Sequence, residues 1–219
     1  IVQHVVALEV ILRQYIQGLA VALLLVLQGP GFSQPAVAGI LDTEAALADR
    51  ILGDENAPLT IIEYSSLGCP HCKAFHSDTF PMIKKEFIDT GKVRMIYRDY
   101  PLGARAMAAA MIARCAPAPR YFGMIELFFD KQQEWSQAED ALAALSKVAK
   151  FGGMSGDDVA ECLKNQALLD GIRGRAEDAK FDFEIAATPS FLVGGEDGQK
   201  IEGALSAEDF RDVIQKALN

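Results

Sequence analysis

The sequence predicts an α/β fold whose sheet framework is interrupted by a block of helices, and three observations predict it. Two apolar, β-rich runs, residues 59–64 (LTIIEY) and 92–97 (KVRMIY), enclose a helical run. From residue 104 to about 180 the apolar residues recur at spacings of three and four, with no strong strand candidate. A short strand, 190–193 (SFLV), a turn at Glu196-Asp197-Gly198-Gln199, a return strand, 200–202 (KIE), and a last helix then follow. The order is β-α-β, helices, β-β-α.

Each element has a local cause. Residues 42–52 read as a short helix with Asp42 or Thr43 as its cap, and Asn56-Ala57-Pro58 reads as a turn. The strand at 59–64 is broken only by one acid, Glu63. The helix after it extends through Phe87, kinked near Pro81, which has no amide proton to donate, and Gly91 ends it. Ala-rich runs at 104–114 and 138–150 carry the helical period of the middle block. Ser206 caps the final helix, which extends to Leu218, and Asp209 three residues on supports the cap.

The 219 residues suit one domain with an insertion, and 12 Phe in a half-hydrophobic chain supply a normal core. With 21 basic and 30 acidic residues the net charge is −9, which argues against nucleic-acid binding. The first 38 residues read as an export signal. Arg13 precedes an apolar run, 19–27 (LAVALLLVL), Gly29-Pro30-Gly31 breaks it, and Ala36-Val37-Ala38 offers a small-residue cleavage site. A membrane span needs about 20 apolar residues, so a cleaved signal is favoured over a retained anchor. Export places the 4 cysteines in an oxidising compartment. The chain is thus divided into a signal peptide (1–38), a framework domain (39–103 and 181–219) and an inserted helical domain (104–180).

Cys69-Pro70-His71-Cys72 lies where the first strand gives way to its helix. A strand, then C-x-x-C, then a helix is a thioredoxin-like redox signal. At a helix start the first thiol meets unsatisfied N–H groups and the positive end of the helix dipole, which favour its thiolate. Pro70 suits the first helical position, where its missing N–H costs nothing. His71 is placed to offer the Cys69 thiolate a hydrogen bond or positive charge; the plainer reading is a solvated turn residue. Glu63, if buried, can exchange a proton with Cys72, whereas on strand alternation alone it faces outward. Thr188-Pro189 opens the strand at 190–193, where a proline costs no ladder donor. A trans bond is the ordinary state there. A cis bond would leave a backbone edge near the cysteines able to pair with an extended peptide.

Cys115 and Cys162 fall in the helical block. In an exported protein they are expected to form a structural disulfide between inserted helices; two separate buried thiols are the alternative. A zinc site from Cys69, Cys72, His71 and His76 is disfavoured, because a Pro-His turn at a helix start suits thiolate chemistry and no distal ligand pair exists. No metal or cofactor is expected. Phe75, Phe80, Phe128 and Phe129 read as core, His76 as packing beside the active helix, and Trp135 as the anchor of a loop between helices.

The run Glu63-Tyr64-Ser65-Ser66-Leu67-Gly68-Cys69-Pro70-His71-Cys72, with Phe75 after it, resembles the DsbA-type thiol:disulfide oxidoreductases of bacterial periplasms, and the likeness covers roughly residues 50–218. The resemblance implies a thioredoxin-like fold with an inserted helical domain. It implies Cys69 as the exposed nucleophile, Cys72 as the resolving thiol, His71 as tuner, Glu63 as proton relay, and Thr188-Pro189 as a substrate-edge dipeptide with a cis bond. Its substrates would be reduced, folding exported proteins, and its turnover would need a DsbB-like membrane partner to reoxidise it. Relatives of alphaproteobacterial type are similar in carrying an extra cysteine pair in the helical domain. Thr188 departs from the Val of familiar enteric members and leaves the strength of oxidation open. The chain is expected to act as a monomer. A reductase or isomerase remains an alternative, disfavoured because no dimerisation region fits between Ala38 and Leu59. So does a non-catalytic peptide-binding chaperone, disfavoured by the intact Cys69/Cys72 pair.

Overall fold

The structure is a computed structural model that describes residues 42–219; the export-signal reading of residues 1–38 lies outside them. Helix α1 (Thr43–Leu47) is capped by Asp42, whose carboxylate accepts from the Glu44 N–H at 3.0 Å. It is shorter than the helix expected over 42–52. Ala48 turns to an extended backbone, and Arg50–Leu52 forms strand β1. The correction has a tertiary cause, since β1 exists by antiparallel pairing of Arg50, Ile51 and Leu52 with Tyr97, Ile96 and Met95. Gly53 ends it at φ 102°, where a side chain would press on the Val93 carbonyl.

Among the described residues the sheet has five strands in the order β1-β3-β2-β4-β5. Strand β2 (Leu59–Ser65) is central, parallel to β3 (Val93–Asp99) and antiparallel to β4 (Ser190–Val193), which pairs with β5 (Gln199–Glu202). Every residue of β2 except Thr60 is buried, because both sheet faces are covered. That burial puts Glu63 inside the protein rather than on an outward edge.

Helix α2, residues 70–88, alternates α-helical turns (Pro70–Ala74, Phe80–Ile83) with wider π turns (Phe75–Thr79, Lys84–Ile88). The first π turn lies immediately before Pro81. There the Phe80 N–H reaches the Phe75 carbonyl, so the ladder widens where proline would clash with it.

Between β3 and β4 lie α3 (Ala104–Cys115), a 3₁₀ turn (Ala118–Arg120), α4 (Tyr121–Asp130), α5 (Gln132–Ser136), α6 (Ala141–Phe151), α7 (Gly156–Leu163) and α8 (Gln166–Asp182). Asp140, Ser155 and Asn165 cap the last three with side-chain acceptors, and Ser155 forms a capping box with Asp158. Trp135, read from the sequence as a loop anchor, lies on α5. Its indole is fully buried and donates to the Phe128 carbonyl at 2.8 Å. Helix α9 (Ala207–Leu218) closes the chain, with Ser206 as its cap.

Two apolar clusters flank the active turn. One, inside the insertion, gathers Tyr121, Phe128, Trp135 and Ile112 and reaches Cys69 and Cys72. The other, under the sheet, gathers Phe75, Phe80, Ile83, Phe191 and Phe210, with Phe75 and Phe191 ring centroids 4.6 Å apart. Within the insertion, Cys115 of α3 and Cys162 of α7 are joined by a disulfide with a Cα–Cα distance of 6.1 Å.

Candidate active site

Cys69 is the N-cap of α2, with an extended backbone (φ −83°, ψ 125°), and Pro70 opens the first turn. The Cys69 N–H donates to the Ser66 carbonyl at 3.0 Å, which tightens the approach from β2. The insertion clamps the same turn from outside. Buried Gln132 donates through Nε2 to the carbonyls of Leu67 and Cys69, at 2.7 and 2.9 Å. Gly68 allows the close approach of α3; a side chain there would sit 3.1 Å from the Ala106 Cβ.

The two thiols are free and unequal. Cys72 is fully buried, and its sulfur accepts from the Ser66 N–H at 3.5 Å. Burial pushes its pKa up, and the hydrogen bond it donates to Cys69 and the nearby Glu63 charge act in the same direction. Cys69 moves the other way, to about 5. The hydrogen bond from Cys72 is the largest cause, and Thr188 and the backbone N–H groups of Cys72 and His71 add to it against the opposing effect of burial. The expectation of an exposed Cys69 is corrected: only 6% of the residue's surface is open. The Thr188 carbonyl, 3.3 Å from the Cys69 sulfur, covers it from a loop remote in sequence. The Thr188–Pro189 peptide bond is cis.

His71 is exposed at the first turn of α2, and it is its backbone N–H that supports the thiolate. Glu63 is completely buried on β2, and its carboxylate oxygens lie 3.0 and 3.2 Å from Nε2 of His76. The structure therefore gathers Cys69, Pro70, His71, Cys72, Thr188 and Pro189 at one turn with Glu63 behind Cys72. Cys115 and Cys162 stand apart in the insertion. Sequence reasoning treated His76 as packing and passed over Gln132. His76 carried a usable signal, because it follows Cys72 by one helical turn and shares its face. Gln132 carried none, since its partners lie far away along the chain.

A dithiol at a helix start beside a cis-proline, on a mixed sheet interrupted by helices, defines a thioredoxin-like redox fold. The chain belongs to the thioredoxin family, whose model matches residues 45–216, and within it to the DsbA-like oxidoreductases. A Rickettsia conorii relative provisionally named a protein-disulfide oxidoreductase is 27% identical over 171 residues, covering 78% of this chain and 60% of its own length. The chain thus spans about 60% of the length of that relative. Disulfide bond formation protein D of Bacillus subtilis is 27% identical over 173 residues, covering 77% of this chain and 76% of the relative. Among solved structures, Wolbachia pipientis α-DsbA1 superposes with a TM-score of 0.72 at 32% identity, covering 78% of this chain and 90% of that one. Among the described residues no helix is long and apolar enough to cross a membrane.

Proposed function

We propose that this protein is an exported thiol:disulfide oxidoreductase that donates the Cys69–Cys72 disulfide to folding proteins of the periplasm. The inequality of the two thiols carries the reading. A Cys69 thiolate stable near pH 5 makes the reduced state favourable and the disulfide a ready oxidant. A substrate thiolate attacks the Cys69 sulfur, the Cys69–Cys72 bond breaks, and its electron pair leaves on Cys72, which takes a proton. A second substrate thiolate then attacks the substrate sulfur of the mixed disulfide and expels Cys69 as a thiolate. In this scheme His71 tunes the thiolate, Glu63 relays the proton of Cys72, and the backbone at Thr188-Pro189 is the edge that receives an extended substrate segment. Cys115–Cys162 is a structural bridge. A membrane partner of DsbB type returns the pair to the disulfide, and the working unit is a monomer.

The test is the equilibrium of the Cys69/Cys72 pair against glutathione buffers, with the state of all four cysteines read by alkylation and mass. Reduction by a trace of reduced glutathione, with Cys115 and Cys162 protected throughout, is the expected result. A pair that stays oxidised until the buffer is strongly reducing would point to a reductase and sink the oxidase reading.

A further inference from the structure

A carboxylate at zero exposure in an apolar strand is costly unless it is paired. Among the described residues Glu63 meets one side chain within hydrogen-bond reach, the imidazole of His76, whose Nε2 lies almost equidistant from its two oxygens. The ring is held against turning away. It stacks on Phe129 at 4.3 Å and 24°, and Phe75, Phe80 and Tyr97 pack around it at centroid distances of 5.4, 5.0 and 6.1 Å. Its other nitrogen, Nδ1, is buried and has no hydrogen-bond partner among the described residues. The ring also lines, with Glu63, Tyr97 and the exposed Glu126, a cavity of about 10 Å³, room for about one water molecule. The titratable groups around His76 are Glu63 from β2, Tyr97 from β3, Glu126 from α4, and Cys72 one turn earlier on its own helix.

We propose that His76 is a positioning residue for disulfide exchange: it shares a proton with Glu63, so that the Glu63–His76 pair, and not the carboxylate alone, supplies and withdraws the proton of Cys72. The inference rests on the proposed exchange at Cys69 and Cys72. When the disulfide opens, the electron pair that leaves on the Cys72 sulfur is neutralised by the proton held between Glu63 and His76. The pair refills from solvent through the cavity that both side chains border. On reoxidation the same proton leaves Cys72 by the reverse route.

The test follows reduction of Cys69–Cys72 by reduced glutathione across pH, with acid quench, alkylation and correction for the thiolate fraction of glutathione. It compares the wild type, His76→Phe, His76→Gln, Glu63→Gln and His76→Phe/Glu63→Gln. His76→Phe keeps the stack on Phe129, and His76→Gln keeps an N–H toward Glu63 while carrying no exchangeable charge. The expected result is a shift of the pH profile by about one unit in both His76 variants. The double variant should behave as Glu63→Gln alone, because the imidazole acts through the carboxylate. A wild-type profile in His76→Phe, its restoration in His76→Gln, or an undiminished His76 effect in the Glu63→Gln background would overturn the proposal. Absence of exchange in the wild type would instead overturn the function on which it rests.

Discussion

The side-chain amide of Gln132 lies 2.9 Å from the carbonyl oxygen of Cys69, so one buried residue of the helical insertion holds the backbone of the nucleophile. The same nitrogen reaches the Leu67 carbonyl, two residues back along the turn. The insertion is thereby part of the active turn's scaffold as well as its neighbour. Replacing Gln132 with Leu takes its donor from the Leu67 carbonyl and leaves the Cys69 carbonyl with the Lys73 N–H, while keeping the site dry. A loss of about 2 kcal/mol is expected for removing a donor from a buried acceptor in this way. Urea unfolding of the reduced protein measures it, and a smaller thiolate fraction at Cys69 should accompany the loosened turn.

The Cys69 thiolate should titrate with a midpoint of about 5, read by its ultraviolet absorbance in the reduced protein. The folded value is depressed below an ordinary thiol value of about 8.5. The stabilisation it gives the reduced fold is therefore complete above about pH 8.5 and is lost as pH falls through the folded value. Thermal unfolding of the reduced form, compared with the oxidised form, should gain in relative stability between about pH 5 and 8.5. Because the hydrogen bond from Cys72 is the largest cause of the depression, Cys72→Ala should raise the Cys69 midpoint, whereas His71→Ala, which keeps the backbone N–H, should leave it close to the wild-type value.

The active turn was legible in the sequence because its signals are local: two thiols at a fixed spacing, a proline at the first helical position, and an apolar run ahead of them. The helical insertion was legible for the same reason, through its period. Strand β1 was not, since Arg50–Leu52 follows an Ala-rich helix start and becomes a strand only through Tyr97, Ile96 and Met95. The burial of Cys69 was equally hidden, as its cover is the Thr188 carbonyl, 119 positions away. Glu63 could be flagged as an oddity within an apolar strand. Its pairing with His76 required knowing that β2 and α2 bring the two side chains together.

Cys115–Cys162 closes a loop of 47 positions inside the insertion. In the chain-entropy model, a loop of this length limits the unfolded chain by roughly 4 kcal/mol. The double variant Cys115→Ala/Cys162→Ala should therefore unfold at a markedly lower urea midpoint. Cys162 is fully buried, so the bridge should also resist alkylation under conditions that reduce and trap Cys69 and Cys72. A variant as stable as the wild type would remove the structural role assigned to this bond.

Arg114 also ties the insertion to the framework, and it is 2% exposed. Its Nε donates to Asp99 at 2.6 Å, one terminal nitrogen donates to the carbonyls of Ala46 and Ala48 at 3.2 and 2.7 Å, and the other donates to the Tyr97 carbonyl at 3.3 Å. A single planar guanidinium thus joins α3, the end of β3 and the chain after α1, a geometry that lysine's point charge does not reproduce. Removing it leaves Asp99 buried without its cation and takes a donor from three carbonyls. Arg114→Ala should cost about 3–5 kcal/mol, the range for breaking a buried pair from one side. Arg114→Met/Asp99→Leu removes both charges and refills the volume, so it should recover a large part of that loss. Urea unfolding of the two variants measures the difference. Equal destabilisation would mean that the contacts to Ala46, Ala48 and Tyr97, and not the charge left on Asp99, account for the role of Arg114.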